Sequence, residues 1–190
     1  MEKEQVYCSI LPTTTQYSRN ALFAGLMPSD IKNKYPEKWI DEETNEGKNL
    51  YEDFFLLENL KRCSTIIKSS YHKITNLNNG KKLLNNFNNL LQNNLNTIVY
   101  NFVDTLSHAR TEMDVIKELA EDESAYRSLT LSWFKHSPLY EMMKKMSENS
   151  CKVFLTTDHG TIRVKNASKV MGPKQINSNM RYKVSKNLSY

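Results

Sequence analysis

The stretch Lys152–Gly160, KVFLTTDHG, constrains the fold more than any other part of this chain. Val153, Phe154 and Leu155 form a short apolar run, the pattern of a strand buried on both faces of a parallel sheet. The run ends at once in Thr156-Thr157-Asp158-His159-Gly160. A carboxylate beside an imidazole, just past the C-terminal end of a buried strand, stands where α/β sheets place their ligands. Gly160 allows a sharp backbone turn there. Asp and neutral imidazole are ordinary zinc ligands. Taken alone, the pentapeptide also admits a plainer account, in which Asp158 caps the next element and His159 is a satisfied polar side chain.

The N-terminal part repeats the design. Val6–Leu11 reads as a strand ended by Pro12, and Tyr17–Leu26 as a helix closed by Gly25 or Pro28. Thr15 falls between them, near the first helical turn, where N–H groups and the helix dipole favour negative charge. A hydroxyl held there becomes a nucleophile only with a base or a metal to carry the alkoxide. Otherwise Thr13–Thr15 are N-cap residues. Pro28–Trp39 is a short helical or irregular connection, and Asp41–Lys48 is a polar surface loop. Leu50–Cys63 has a helical period, and Ile66–Ile74 has room for a strand with His72 as a structural polar residue.

Asn76–Asn96 is rich in Asn, yet Leu83, Leu84, Phe87, Leu90, Leu91 and Leu95 keep the 3.6 period through it. The expectation is a helix with an Asn-rich solvent face. Thr97–Val103, TIVYNFV, is the best strand of the chain. It too ends in polar residues: Asp104, and His108 four positions on, close enough for a tight loop to bring both to one ion. Thr111–Lys135 reads as one helix capped by Thr111 with Asp114 as its N3 carboxylate. Pro138 breaks it, and Leu139, Met142, Met143 and Met146 define another helix. Thr161–Lys165 returns as a hairpin strand, and Ala167–Tyr190 is loop with one strand near Arg181–Val184. This order predicts a three-layer α/β/α sandwich with a mainly parallel sheet, in one domain over residues 1–190.

Charge and cysteines bound the setting. No apolar run among the 190 residues approaches a membrane span, and the N-terminus lacks a secretory pattern. Cys8, Cys63 and Cys151 are few and far apart, and Cys8 and Cys151 fall in expected strands, so buried, reduced thiols in a cytosolic protein are the expectation. Net charge is +5, but Cys151–Tyr190 carries eight Lys/Arg against one acidic residue. Such a stretch either holds an anionic substrate or is a solvated face.

The three strand-end groups, Pro12-Thr13-Thr14-Thr15, Asp104…His108 and Asp158-His159-Gly160, resemble in this chain order the alkaline phosphatase superfamily. Its two-metal sites use a Ser or Thr nucleophile, a D-x-x-x-H segment and a D-H-G segment. The run PTTTQYSRNALFAGLMP is similar to the nucleophile segment of the nucleotide pyrophosphatase/phosphodiesterase branch and selects Thr15. The phosphate-binding Asn of that branch falls at Ser18, with Arg19 or Asn20 as substitutes. The similarity is closer to the PglZ domain of PorX-like response regulators. There LPTTTQYSRNALFAGLMP, YNFVDTLSHARTEMDVIKELAEDESAYRSLTLSWFKHSPL, TTDHGTIRV and NMRYKVSKNL all have counterparts, over nearly the whole chain.

That resemblance implies an alkaline-phosphatase-like, incomplete catalytic domain. The parent would carry an N-terminal receiver domain and act with a sensor kinase in two-component signalling that controls type IX secretion. It implies a zinc-dependent phosphodiesterase acting on oligonucleotides. Thr15, Asp158 and His159 are assigned to one zinc, Asp104 and His108 to the other, and the remaining ligands lie outside the chain, which is read as a fragment. Arg163 is expected to steer the polyanionic substrate. A second copy in a homodimer is a further expected partner, and no membrane is. The rival is a non-catalytic signalling module that binds a nucleotide or a protein. A non-specific nucleic-acid binder is weaker, because only Tyr182 and Tyr190 supply aromatics in the basic stretch.

Overall fold

Helix α1 (Thr15–Ala24) starts where the sequence places a hydroxyl between an extended segment and a helix. The computed structural model describes residues 4–40, 47, 49–64, 66–161, 166, 168–172 and 182–183. They divide into two units, Met1–Ile66 with Leu155–Tyr190, and Ile67–Phe154.

In the first unit, Thr14 is the extended N-cap of α1. Gly25 ends the helix at φ +58°, its N–H donating to Ala21 O. A side chain at that position would be strained by the left-handed backbone, and its Cβ would lie 2.7 Å from the Asn59 amide oxygen. Helix α2 (Pro28–Lys34) opens on Pro28, which loses no helical hydrogen bond there, and buries Ile31. Helix α3 (Glu52–Arg62) packs on α1 and buries Glu52 and Phe55, each 1% exposed. Arg62 of α3 donates to Ala24 O, satisfying a carbonyl at the end of α1.

Two strands expected in the sequence are absent. Residues 4–10 and 151–157 belong to no strand. Val153, Phe154 and Leu155 are 49%, 81% and 72% exposed rather than buried on two faces. A strand exists only where a neighbour takes its N–H and C=O groups. Within the first unit the two segments are linked by side chains instead. The Tyr7 hydroxyl bonds to Thr156 Oγ1 at 2.8 Å and donates to Thr157 O, and Ser9 Oγ donates to Asp158 O at 2.7 Å. Cys8 is accordingly exposed, as is Cys63, while Cys151 is half-buried, and none of the three is in a disulfide. The hairpin strand over Thr161–Lys165 falls mostly, and Arg181 and Val184 wholly, outside the described residues. Tyr182 and Lys183 form no strand, and the Tyr182 ring lies 6.2 Å from that of Tyr17.

The second unit holds the sheet. Strands β1 (Ser69–Ile74) and β2 (Leu95–Tyr100) pair in parallel, with Ser70 opposite Asn96, His72 opposite Ile98 and Ile74 opposite Tyr100. Between them run α4 (Leu77–Asn85) and α5 (Phe87–Leu90), the crossover that a parallel pair requires. Ile74, Leu83, Phe87, Leu90 and Met142 form the core, with Ile98, Tyr100, Leu139 and Met146 packed against it. Leu83, Phe87 and Leu90 of the Leu stripe thus bury, while Leu91 stays exposed, Leu95 opens β2 and the helix expected over Asn76–Asn96 breaks at Asn86. Asn competes locally for backbone hydrogen bonds and so favours such ends. Asn76 caps α4 by accepting from Asn79 N. This is an α/β fold with a small parallel sheet.

β2 starts two residues earlier than expected and stops at Tyr100, so Phe102 and Val103 open α6 (Phe102–Glu112) instead of ending the strand. The expected Thr111–Lys135 helix is three: Thr111 lies inside α6, followed by α7 (Asp114–Leu119) and α8 (Glu123–Lys135). Met113, extended between α6 and α7, breaks the first junction, and Asp122 caps α8 by accepting from Ala125 N. Pro138 and Ser137 then start α9 (Pro138–Glu148), whose Met142 reaches the core. No helix of the described residues is long and apolar enough to cross a membrane.

His72 in β1 has a shifted pKa. Its Nε2–H donates to Ser70 Oγ at 3.0 Å, and Ser70 Oγ donates to Asn96 Oδ1 at 2.7 Å. Burial pulls its imidazole below the ordinary range, because the charged form loses hydration. The unfolded chain therefore binds more protons than the folded one in that window, so stability rises with pH there. The contribution is complete above an unfolded pKa of about 6.5 and is lost as pH falls from there through the folded value. Melting temperatures measured between pH 5 and pH 8 should fall more steeply on the acid side for the parent than for His72→Gln. Parallel curves would remove His72 as the cause.

Candidate active site

Thr15, the first residue of α1, places its hydroxyl 3.1 Å from His159 Nε2, across 144 positions of sequence. His159 Nδ1 lies 3.1 Å from Gly160 O. A carbonyl only accepts, so Nδ1 carries the proton and Nε2 the lone pair. The Thr15 hydroxyl therefore donates to Nε2. Asp158 Oδ2 lies 3.8 Å from the same nitrogen, and Asp158 Oδ1 accepts from His159 N at 3.2 Å. Both side chains are largely shielded, 17% and 14% exposed. Thr157 Oγ1 donates to His159 O at 2.7 Å and Ser9 Oγ to Asp158 O, so the loop is pinned on both sides.

Thr15 Oγ1 and Asp158 Oδ2 thus both lie near His159 Nε2. Tetrahedral zinc with bonds of about 2.0–2.2 Å separates its ligand atoms by about 3.3–3.6 Å. The observed 3.1 and 3.8 Å bracket that spacing. The Gly160 carbonyl on Nδ1 is the kind of outer partner that fixes the tautomer of a zinc-binding His. In donor chemistry, an imidazole and a carboxylate with a hydroxyl beside them suit the ion.

Asp104 and His108 form a second couple, in the second unit. The sequence expectation was a tight loop after a strand; both sit instead on α6 as an i, i+4 pair, with Asp104 Oδ1 3.7 Å from His108 Nε2. The reason is the early end of β2: Leu106, buried one turn after Phe102, gives the segment a helical face instead. Four residues apart on a helix puts the two side chains on one face, so the couple is preserved by a different local structure. It is the more exposed of the two, at 48% and 68%. Among the described residues no three His, Cys, Asp or Glu side chains gather at one point. Each cluster is an acid–imidazole couple, with the Thr15 hydroxyl as third donor in the first.

Of the residues expected to bind substrate, Arg19 and Asn20 are turned away from solvent. Arg19 pairs through Nε with Glu52, and its side chain is 13% exposed. Asn20 is buried and accepts at Oδ1 from Asn49 Nδ2 at 3.2 Å, while Asn49 Nδ2 also donates to Thr15 O at 3.1 Å. Arg163 falls outside the described residues. Asn49 and Glu52 were missed by sequence reading. Neither stands in a motif, and Glu52 looks like any acid in a first helical turn.

The family model described as the BREX system PglZ alkaline phosphatase-like domain matches residues 1–190. No curated protein matches the chain.

Proposed function

We propose that this chain, which belongs to the BREX-system PglZ alkaline phosphatase-like family, hydrolyses phosphodiesters, oligonucleotides among them, through Thr15 and two zinc ions. Its family makes it an alkaline-phosphatase-like domain of phosphoesterase type. The observation that carries the finer reading is the 3.1 Å approach of Thr15 Oγ1 to His159 Nε2. A hydroxyl at the N-terminus of α1 and a D-H-G imidazole so distant in sequence have no local reason to meet.

Thr15, Asp158 and His159 would hold one ion, and Asp104 with His108 the other. Bound zinc would supply Lewis acidity, easing ionisation of a hydroxyl or water and offsetting charge on the oxygens of phosphorus. The rest falls to the chain. With the His159 Nε2 lone pair given to the ion, the hydroxyl proton of Thr15 would pass to solvent water before Oγ1 attacks, and a proton from water would go to the departing alcohol oxygen. Oγ1 then bonds to phosphorus, the bond from phosphorus to the leaving alcohol breaks, and water later cleaves the phosphothreonine. Tyr17 and Ser18 donate their N–H groups to Thr14 O, which leaves those of Thr15 and Gln16 without an intrahelical acceptor. These groups and the dipole of α1 favour negative charge at its N-terminus. The setting proposed is the effector domain of a cytoplasmic two-component response regulator, driven by a receiver domain and sensor kinase.

The test is metal removal. Chelated protein should lose hydrolysis of bis(p-nitrophenyl) phosphate and of short oligonucleotides, and added zinc should restore it. Zinc titration should saturate in the parent and weaken in His159→Ala. Hydrolysis that survives complete chelation would overturn the zinc-dependent reading.

A further inference from the structure

Helix α1 is fastened in an unusual way. At the Thr15 end its buried side chains are polar: Gln16, Ser18 and Asn20, with apolar Phe23 and Ala24 only at the far end. Each polar group has a partner off the helix. Gln16 Nε2 donates to Ile40 O at 2.8 Å, Ser18 Oγ shares a 3.0 Å hydrogen bond with Ser9 Oγ, and Asn49 Nδ2 donates to Asn20 Oδ1 and to Thr15 O. Arg19, one turn below Thr15 on the same face, pairs with Glu52. Glu52 is 1% exposed, at the first position of α3, where the helix dipole and the guanidinium both favour a carboxylate.

Apolar contact is non-directional and lets a helix rotate or slide at small cost. Hydrogen bonds and a guanidinium–carboxylate pair fix angle and register. A buried ion pair is also a poor way to gain stability, since apolar residues of similar volume often do as well or better. Its presence here, beneath the reactive hydroxyl, needs another reason.

We propose that the Arg19–Glu52 pair, keyed into α3, is a positioning device that holds Thr15 Oγ1 against His159. Arg19 and Glu52 are positioning residues and touch neither substrate nor metal. The inference rests on the reading of Thr15 as nucleophile. A displacement of about 1 Å in a reacting group costs up to about 100-fold in rate.

The decisive variant is Arg19→Met/Glu52→Leu, which removes both charges together and leaves neither unpaired. Its melting temperature should equal or exceed the parent's. Its kcat should fall about 10- to 100-fold, with KM changed less than about twofold. Without any turnover, the His159 Nε2 resonance in ¹⁵N NMR should move towards that of Thr15→Ala. A second variant, Glu52→Gln, keeps the shape and should show the same split between kcat and KM. Unchanged kcat and an unmoved His159 resonance in a stable double variant would overturn the positioning role while leaving the nucleophile reading intact. Thr15→Ala as active as the parent would overturn both.

Discussion

Thr15→Ala is expected to lower kcat/KM for phosphodiester hydrolysis by at least about 1,000-fold, because removal of a hydrolase nucleophile costs that much or more. The argument is geometric. Oγ1 is held at the N-terminus of α1 and directed at His159 Nε2, and the variant deletes the only atom that would bond to phosphorus. The backbone there does not depend on that hydroxyl, since Thr14 is the N-cap and the first turn is closed by Tyr17 and Ser18 N–H groups on Thr14 O. The variant should therefore melt with the parent. Thr15→Ser should retain measurable activity. Radiolabelled phosphoryl substrate should mark the parent transiently at Thr15 and leave the Ala variant unlabelled. Activity within tenfold of the parent would remove Thr15 from the chemistry.

Phe55→Ala is expected to have the largest effect on stability, about 3–5 kcal/mol. Phe55 lies on α3, 1% exposed, with ring centres 5.8 Å from Phe54 and 6.1 Å from Tyr35. Truncation removes the ring's contacts with both and leaves a cavity that the surrounding helices fill only in part. Leu57→Ala, two residues on and half-exposed, should cost less than about 0.5 kcal/mol. Denaturant midpoints for the two variants would separate these expectations, and equal midpoints would refute the packing assigned to α3. The same helix carries Glu52, so the site and the stability of the first unit share one support.

The prediction from the sequence was most accurate where one chemical signal dominates a short segment. Periodic leucines in an Asn-rich stretch indicated burial, and Leu83, Phe87 and Leu90 are in the core. Gly25, one of the two closures expected for the first helix, ends it, and the helix expected after the break at Pro138 is present. The hydroxyl at Thr15 and the D-H-G segment were legible because their residue types are rare and their chemistry is specific. Val153-Phe154-Leu155 misled, since an apolar run registers the capacity to form a strand but not whether a partner edge is available. Asp104 and His108 were paired correctly but given the wrong backbone. Spacing of four serves a tight loop and a helix alike.

By itself, then, the order of residues determined the α/β character, the main helical segments and which side chains are candidates for metal or nucleophile chemistry, because all of these follow from local pattern and functional group. Only the tertiary structure decided that Thr15 meets His159, that Arg19 and Asn20 turn inward to Glu52 and Asn49, and that the apolar run before Asp158 stays exposed. The physical reason is that each of these depends on a partner far away along the chain, and no local signal in either member of a pair specifies the other.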